Sequence, residues 1–569
     1  MISRYRRVFA PVSLVVLALW AGACGDDSKD TDTPSAKDSA AAEKLIDINA
    51  MPRDQVKDGG TMRWALDQFS SQWNYHHLDG QTGATYDVIF ATMPIPFIAD
   101  EKAMVSPNPN YVSSFDVTTS GKQVVTLKLN AQAKWSDGRA VDWTDYEAQW
   151  QALRGKNTEF SVSSSTGYER IGAVKQGADQ FEVIIDFDKP FGEWQNLFAP
   201  LYPKQHMDTP KKFNEGYVDE IPVTAGPFKL DKLDKSAKSL RVVRDAKWWG
   251  DPAKFDAIAY SGSEIEAQVN AFANGEIDRV SIGADASLVK RAAGTTGGIV
   301  RVAGAPDYRQ FTVNGTSEFL EDLQVRRALS MSINRATIAK SSLSGLDWPA
   351  VTMDNHFFVN TQAGYQDNSG EFGKFDPEKA KQLLDAAGWK LDGEFRKKGG
   401  KTLKLEFVIP SGVPASRQEA EIAQTMAKQV GIKIEVKTVP SDPFFDDYII
   451  PGNFDLTVFS FGGNAFPIAT STAIYVEPEK DAKGELQVQQ NLARVGSPEI
   501  DRLMTEAEEQ VDVDKGRELI NQADKLIWDE VHSLVLFQRP QNIAVSTKLA
   551  NVGAFGFKTP NYIDMGFAK

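Results

Sequence analysis

Apolar and polar residues alternate in Val124-Val-Thr-Leu-Lys-Leu-Asn130 and again in Phe181-Glu-Val-Ile-Ile-Asp-Phe187, the period of half-buried strands. Between them, residues 142–153 change to the helical period, with Trp143, Tyr146, Trp150 and Leu153 near one face. The same period predicts helices over 323–340, 377–387 (stopped by Gly388), 498–511 and 515–531. Residues 403–409, 415–430 and 432–437 read as a strand–helix–strand unit. Residues 533–537 and 542–545 read as a closing pair of strands. Strands and helices mix without a strict βαβ rhythm, and no short repeat marks a solenoid. The pattern predicts an α/β chain.

The first 23 residues follow a different rule. Arg4, Arg6 and Arg7 precede an apolar run over 8–20, which ends in Ala21-Gly22-Ala23-Cys24. A basic start, a short apolar core and small residues before a cut describe a secretory signal peptide. The run falls short of the roughly 20 residues a bilayer requires. Cys24 is the sole cysteine, so no disulfide can form within the chain. Its setting resembles a bacterial lipobox, whose cysteine takes lipid and becomes the mature N-terminus. The other reading is a secreted protein carrying one exposed, reactive thiol. Residues 25–44 hold no aromatic and no large aliphatic side chain, too little to order themselves. Residues 24–55 are therefore expected to be a lipidated, unordered tether. Its first twenty residues, at roughly 3.3 Å each, could hold a body up to about 60 Å from a membrane.

Beyond Cys24 no apolar run approaches 18 residues. The formal charge of −14 still counts the three leader arginines, so the mature chain is more acidic. That balance argues against nucleic acid and against broad adhesion to anionic lipid. No P-loop, G-x-S-x-G or H-E-x-x-H occurs, so the chain is expected to be no enzyme and to need no cofactor.

Several blocks recur in one order over some 500 residues: Trp135-Ser-Asp-Gly138 after an alternating strand, Thr224-Ala-Gly-Pro-Phe228, Arg244-Asp-Ala-Lys-Trp-Trp-Gly250, Ala273-Asn-Gly-Glu-Ile-Asp278, Phe311-Thr-Val-Asn314 with 322–335, and 375–389. In this order they resemble the solute-binding proteins of peptide-type ABC transporters, the oligopeptide/dipeptide/nickel family (family 5). Most of these motifs read as scaffold: Trp135–Gly138 is a turn, in which Ser and Asp bond the local backbone and Gly supplies a positive φ.

The resemblance implies a type II periplasmic-binding-protein fold of two lobes with an inserted subdomain. Lobe I would take 56–92, 199–306 and 537–569, the insert 93–198, and lobe II 307–536. Crossings would fall near 307–311 and 536–540. Closure on a ligand between few crossing strands would be the output, read by ABC permease subunits. The resemblance also implies an extended peptide bonded like an added strand. Its lobe II partner maps to 454–464, with Phe461, Gly462 and Gly463 at the ligand. Asn464 falls where many peptide binders hold the ammonium with an aspartate. An amide is the weaker partner, so another acid is needed or the ligand has no free N-terminus there. Asp442 is the nearest candidate, although it also reads as a turn residue. In lobe I the ligand loop is 79–85, with Thr82, Gly83, Ala84 and Thr85 either facing ligand or capping a helix.

Three alternatives stay open. Trp73, Phe444, Phe461 and Phe466 would suit a sugar face. The neighbours His76 and His77 raise a metal-chelate ligand, although adjacent strand residues point to opposite faces. The same cleft could serve a surface sensor without transport. A monomer, with no metal of its own, is expected.

Overall fold

The structure is a computed structural model in which residues 44–480, 484 and 486–569 are described. The leader, Cys24 and the start of the expected tether lie outside them. Among the described residues no helix is long and apolar enough to cross a membrane.

The main elements in chain order begin with β1 (Thr61–Leu66), α1 (Gly83–Thr92), β2 (Val112–Thr118), β3 (Val124–Leu129), α2 (Trp143–Leu153), β4 (Ile171–Gln176) and β5 (Glu182–Phe187). Next come β6 (Phe228–Asp234), β7 (Ser239–Arg244), β8 (Ala257–Gly262), β9 (Arg279–Ser281) and the 16-residue β10 (Gly298–Val313). Then follow α3 (Leu323–Ser332), α4 (Arg335–Ser342), α5 (Pro377–Ala386), β11 (Lys404–Pro410), α6 (Pro414–Gln429), β12 (Lys433–Val439), β13 (Leu456–Phe461), α7 (Pro467–Tyr475), α8 (Pro498–Glu509), α9 (Val513–Glu530) and β14 (Ser533–Ser546). The α/β expectation holds.

One ten-stranded sheet runs through the molecule in the order β12-β11-β13-β10-β14-β9-β1-β8-β7-β6. Its two halves are joined through the long antiparallel pair β10 and β14. On the β13 side alternate residues feed two cores. Leu405, Phe407, Ile409, Leu456 and Val458 enter one with α3 and α6, while Val408, Phe459 and Phe461 enter another with α8 and α9. Covering both faces explains why Phe407, Val408 and Ile409 are apolar in succession. On the β1 side one core continues into the separate antiparallel sheet β2-β3-β5-β4. Helix α2 lies against that sheet, opened by a capping box in which Asp142 accepts from the Thr144 amide.

Three expectations need correction. The helix over 323–340 is two, because Asn334 leaves helical geometry and caps α4 by accepting from the Thr337 amide. The closing strand pair is the single strand β14, in which Pro540 sits at a break in register opposite Gly304, a place where a strand tolerates proline. The expected tether is too long: residues 44–55 are docked. Asp47 exchanges backbone hydrogen bonds with Ala554, both 2.8 Å, and its carboxylate meets Arg301 at 2.7 Å. Ile46 and Ile48 join the β1-side core; the large aliphatic residues that 25–44 lack begin at Leu45.

Candidate functional site

The register of the sheet points to one place. β1 runs parallel to β9, and β9 runs antiparallel to β14, so the carboxyl end of β1 heads along β14 toward the β13 side. β13 pairs antiparallel with β10, Phe461 opposite Tyr308, so its carboxyl end heads the other way. The loops after β1 and β13 therefore face each other across the crossing strands. Crevices outside the carboxyl ends of strands are where open α/β sheets bind ligands.

The crossing itself is cross-braced. Register breaks between Gly304 and Tyr308, and Asp307 pairs with Arg539 at 2.6 Å beside the break. The buried Gln538 amide donates to the Ala305 carbonyl (2.8 Å) and to Thr361 Oγ1 (2.7 Å). A Cβ on Gly304 would stand 2.5 Å from that amide and would have to displace it from these bonds.

At the end of β13, Phe461 is buried against Tyr308 and Phe459, while Gly462, Gly463 and Asn464 are exposed. Nothing lies within 4 Å of a Cβ built on Gly462, whereas one on Gly463 would meet the Pro306 carbonyl at 2.7 Å. The Gly463 amide donates to that same carbonyl at 2.9 Å. Asn464 accepts the Phe466 amide on its side-chain oxygen (2.7 Å), and its own carbonyl accepts from Gln362 (3.1 Å). Its oxygen thus shapes the turn into α7. Phe466, half-buried, is the residue before that helix.

On the β1 side, Thr82 caps α1 by accepting the Thr85 amide at 3.2 Å. Gly83 is exposed at the first turn, and Asp67 Oδ2 stands 3.3 Å from where its Cβ would be. Beneath the helix, Trp64 pairs with Arg279 on one neighbouring strand and with Tyr260 on the other, so the three side chains share a face. The Arg279 guanidinium lies 3.9 Å from the Trp64 ring centre. The Tyr260 and Tyr562 hydroxyls donate to the Asp87 carbonyl at 3.0 and 2.9 Å, which fixes α1 over that row. Burial pushes the Asp87 carboxyl up to about 7, against the pull of Arg279. Burial lowers Arg279.

The insert side touches the β13 side directly. Both Glu193 carboxylate oxygens accept amides at the start of α7, Ala469 at 2.7 Å and Ile468 at 3.3 Å. Arg170 bonds Glu508, and the Gly192 amide donates to the Glu508 carbonyl at 2.6 Å. Burial pushes Glu193 up to about 8 despite those two donors, with Glu508 adding to the rise.

Thr82, Gly83, Gly462, Gly463, Asn464 and Phe466 thus lie on the facing loops. Ala84 and Thr85 are turned inward, with the Thr85 hydroxyl bonded to Ser70 and to the Gln72 carbonyl. Phe444 is 1% exposed in the core, and Trp73 is fully buried, so neither offers a platform to a sugar. Asp442 is exposed in the turn after β12. His76 Nε2 meets the Pro200 carbonyl at 2.7 Å, and burial lowers it to about 4; His77 Nδ1 accepts the Asp79 amide. Both act as turn and core residues. Among the described residues no group of three His, Cys, Asp or Glu could hold a metal. Sequence reading missed Asp67, Asp87, Arg279 and Glu193. Two signals were present: a lone acid within the otherwise uncharged GATYDVIFAT of α1, and an arginine opening a short strand.

A profile of the bacterial extracellular solute-binding proteins, family 5 (middle), matches residues 106–482. The chain is 36% identical over 566 residues to the oligopeptide-binding protein OppA of Mycobacterium tuberculosis, covering 99% of this chain and 94% of that one. Among solved structures it is similar to the periplasmic EDTA-binding protein EppA, with a TM-score of 0.82, 24% identity and coverage of 90% and 98%. It is also similar to Bacillus subtilis AppA in complex with a nonapeptide, with a TM-score of 0.70, 18% identity and coverage of 90% and 100%. These likenesses show the two-lobed type II periplasmic-binding-protein fold with an inserted subdomain. The chain belongs to family 5 of the bacterial extracellular solute-binding proteins.

Proposed function

We propose that this protein captures an extended oligopeptide between its lobes and presents the closed form to the permease of an ABC importer. Lobe I is 44–92, 199–306 and 537–569, the insert 93–198, and lobe II 307–536. The observation that carries the reading is the exposed, side-chain-free end of β13 at Gly462–Gly463, facing the α1 loop across the crossing. The Gly463 amide is taken by the Pro306 carbonyl, and the backbone at Gly462 is open to a strand-like partner, which gives affinity with little demand on side chains. The full-length similarity to an oligopeptide-binding protein agrees with it. The burial of Trp73 and Phe444 and the occupied histidines favour the peptide reading over the sugar and metal-chelate ones, which keep Phe466 alone of the aromatic positions on the facing loops.

Native mass spectrometry of protein purified from its own host tests the ligand class. Oligopeptide masses are expected; a carbohydrate or a metal chelate would overturn the assignment. We place the protein outside the cytoplasmic membrane, held by lipid on Cys24 and working as a monomer. Cys24→Ala is expected to move it from the membrane fraction to the soluble one, and retention in the membrane would contradict the anchor.

A further inference from the structure

Four arginines of the described residues are at least nine-tenths buried: Arg279, Arg326, Arg335 and Arg396. Three have ample acceptors. Arg335 reaches the Met353, Val535 and Gly373 carbonyls and Asp354; Arg396 reaches the Val430 and Trp389 carbonyls and Asp385. Arg326 reaches the Leu320 carbonyl and Glu530. Arg279 differs. It is 5% exposed, its Nε has no hydrogen-bond partner, and among the described residues no carboxylate lies within ion-pair distance of it. A guanidinium withdrawn from water without acceptors is strongly disfavoured, and buried donors are ordinarily bonded. The recess around it is therefore incomplete.

What would complete it follows from the walls. Asp87 from α1 and Asp67 from the loop after β1 both act electrostatically on Arg279, and Trp64, Tyr260 and Tyr562 close the apolar sides. Burial raises the Asp87 carboxyl to about 7, and a cation beside it would favour its ionised form; two ionised carboxylates against one guanidinium then leave an excess of one negative charge. The missing group carries a cation, with an oxygen acceptor close by for Arg279. Asp67 ties this cluster to the crevice: it is exposed in the loop after β1, and its carboxylate stands 3.3 Å from a Cβ built on Gly83. A free peptide N-terminus has this chemistry, an ammonium with a carbonyl oxygen two bonds beyond its α-carbon.

We propose that this recess in lobe I holds the α-ammonium end of the peptide, the ammonium at Asp67 and Asp87 and the first carbonyl oxygen on Arg279. The proposal rests on the peptide reading above. It moves the amine anchor away from Asn464, whose side-chain oxygen is engaged by the Phe466 amide.

The test offers the full mature protein a random hexapeptide library with free N-termini, or the same library N-acetylated, and reads retention by native mass spectrometry. Free peptides are expected to be retained about tenfold over acetylated ones, the scale of one charge-assisted contact. Asp67→Asn, at an exposed position, is expected to shrink that preference. Arg279→Gln is expected to lower retention of free peptides about tenfold. Equal retention of both libraries by the unaltered protein would overturn the recess assignment and leave the peptide reading standing. Retention of neither would overturn the peptide reading, and the recess with it.

Discussion

Each lobe buries a charged polar cluster, and the two are finished differently. In lobe II, His356 and Asp524 are both fully buried, 2.7 Å apart from Nδ1 to Oδ1. The second Asp524 oxygen accepts from Asn368 at 2.8 Å, and Asn521 accepts from Asn355 and Asn368. The pair is enclosed and both Asp524 oxygens are used. In lobe I, Arg279 is buried almost as deeply, yet its Nε lacks an acceptor, and the nearby Asp67 is exposed. Burial alone does not separate scaffold from site. Whether the donors and acceptors are used does.

The largest effect is expected where the cluster is closed. Asp524→Ala would leave His356 and Asn368 without their shared acceptor, deep in the core. Breaking a buried pair by removing one partner typically costs about 3–5 kcal/mol. Urea unfolding should register a loss of that size, with peptide retention unchanged in whatever fraction stays folded. A loss under about 1 kcal/mol, the scale of an exposed pair, would mean the cluster is not the brace its geometry describes.

The open cluster should respond the other way. Replacing Arg279 with Gln removes a buried charge that has no close partner, so stability should change by no more than about 1 kcal/mol or should rise. Ligand retention should nevertheless fall. Should Arg279→Gln unfold the protein as readily as Asp524→Ala, the contrast between the clusters disappears and Arg279 becomes scaffold.

Much of the fold could be read before the structure, because period and capping are local. Strands 124–130 and 181–187, helix 142–153 and the 403–437 unit all lie within a few residues of the observed elements. The failures were tertiary. Nothing local distinguishes one bent strand from two around Pro540, or shows Ile46 and Ile48 docking beside Ala554. The site was half visible for the same reason. Glycines at 462 and 463 announce open backbone, but Asp67, Asp87 and Arg279 come from three separate elements, and only the sheet register brings them together. Asn464 looked like a weakened ligand contact because its role in the turn into α7 depends on the geometry of its neighbours.

Glu193 is intermediate between the two clusters: its oxygens are used, yet its charge is disfavoured. It bridges the insert to lobe II by accepting the Ile468 and Ala469 amides, and burial pushes it up to about 8 from an ordinary value of 4.5. A group raised in the folded contact takes up a proton as that contact forms. Its contribution is therefore fully present below pH 4.5 and is lost as pH rises through about 8. Glu508, close behind, strengthens the effect by repelling the ionised form. Amide exchange at Ala469 should accordingly show less protection at alkaline pH than at neutral pH, beyond the intrinsic rise in exchange rate. Glu193→Gln keeps an acceptor without the charge and should flatten that dependence. A pH profile that survives the substitution would assign the effect to Glu508 and Arg170, and would make Glu193 a plain helix cap with no part in how the lobes meet.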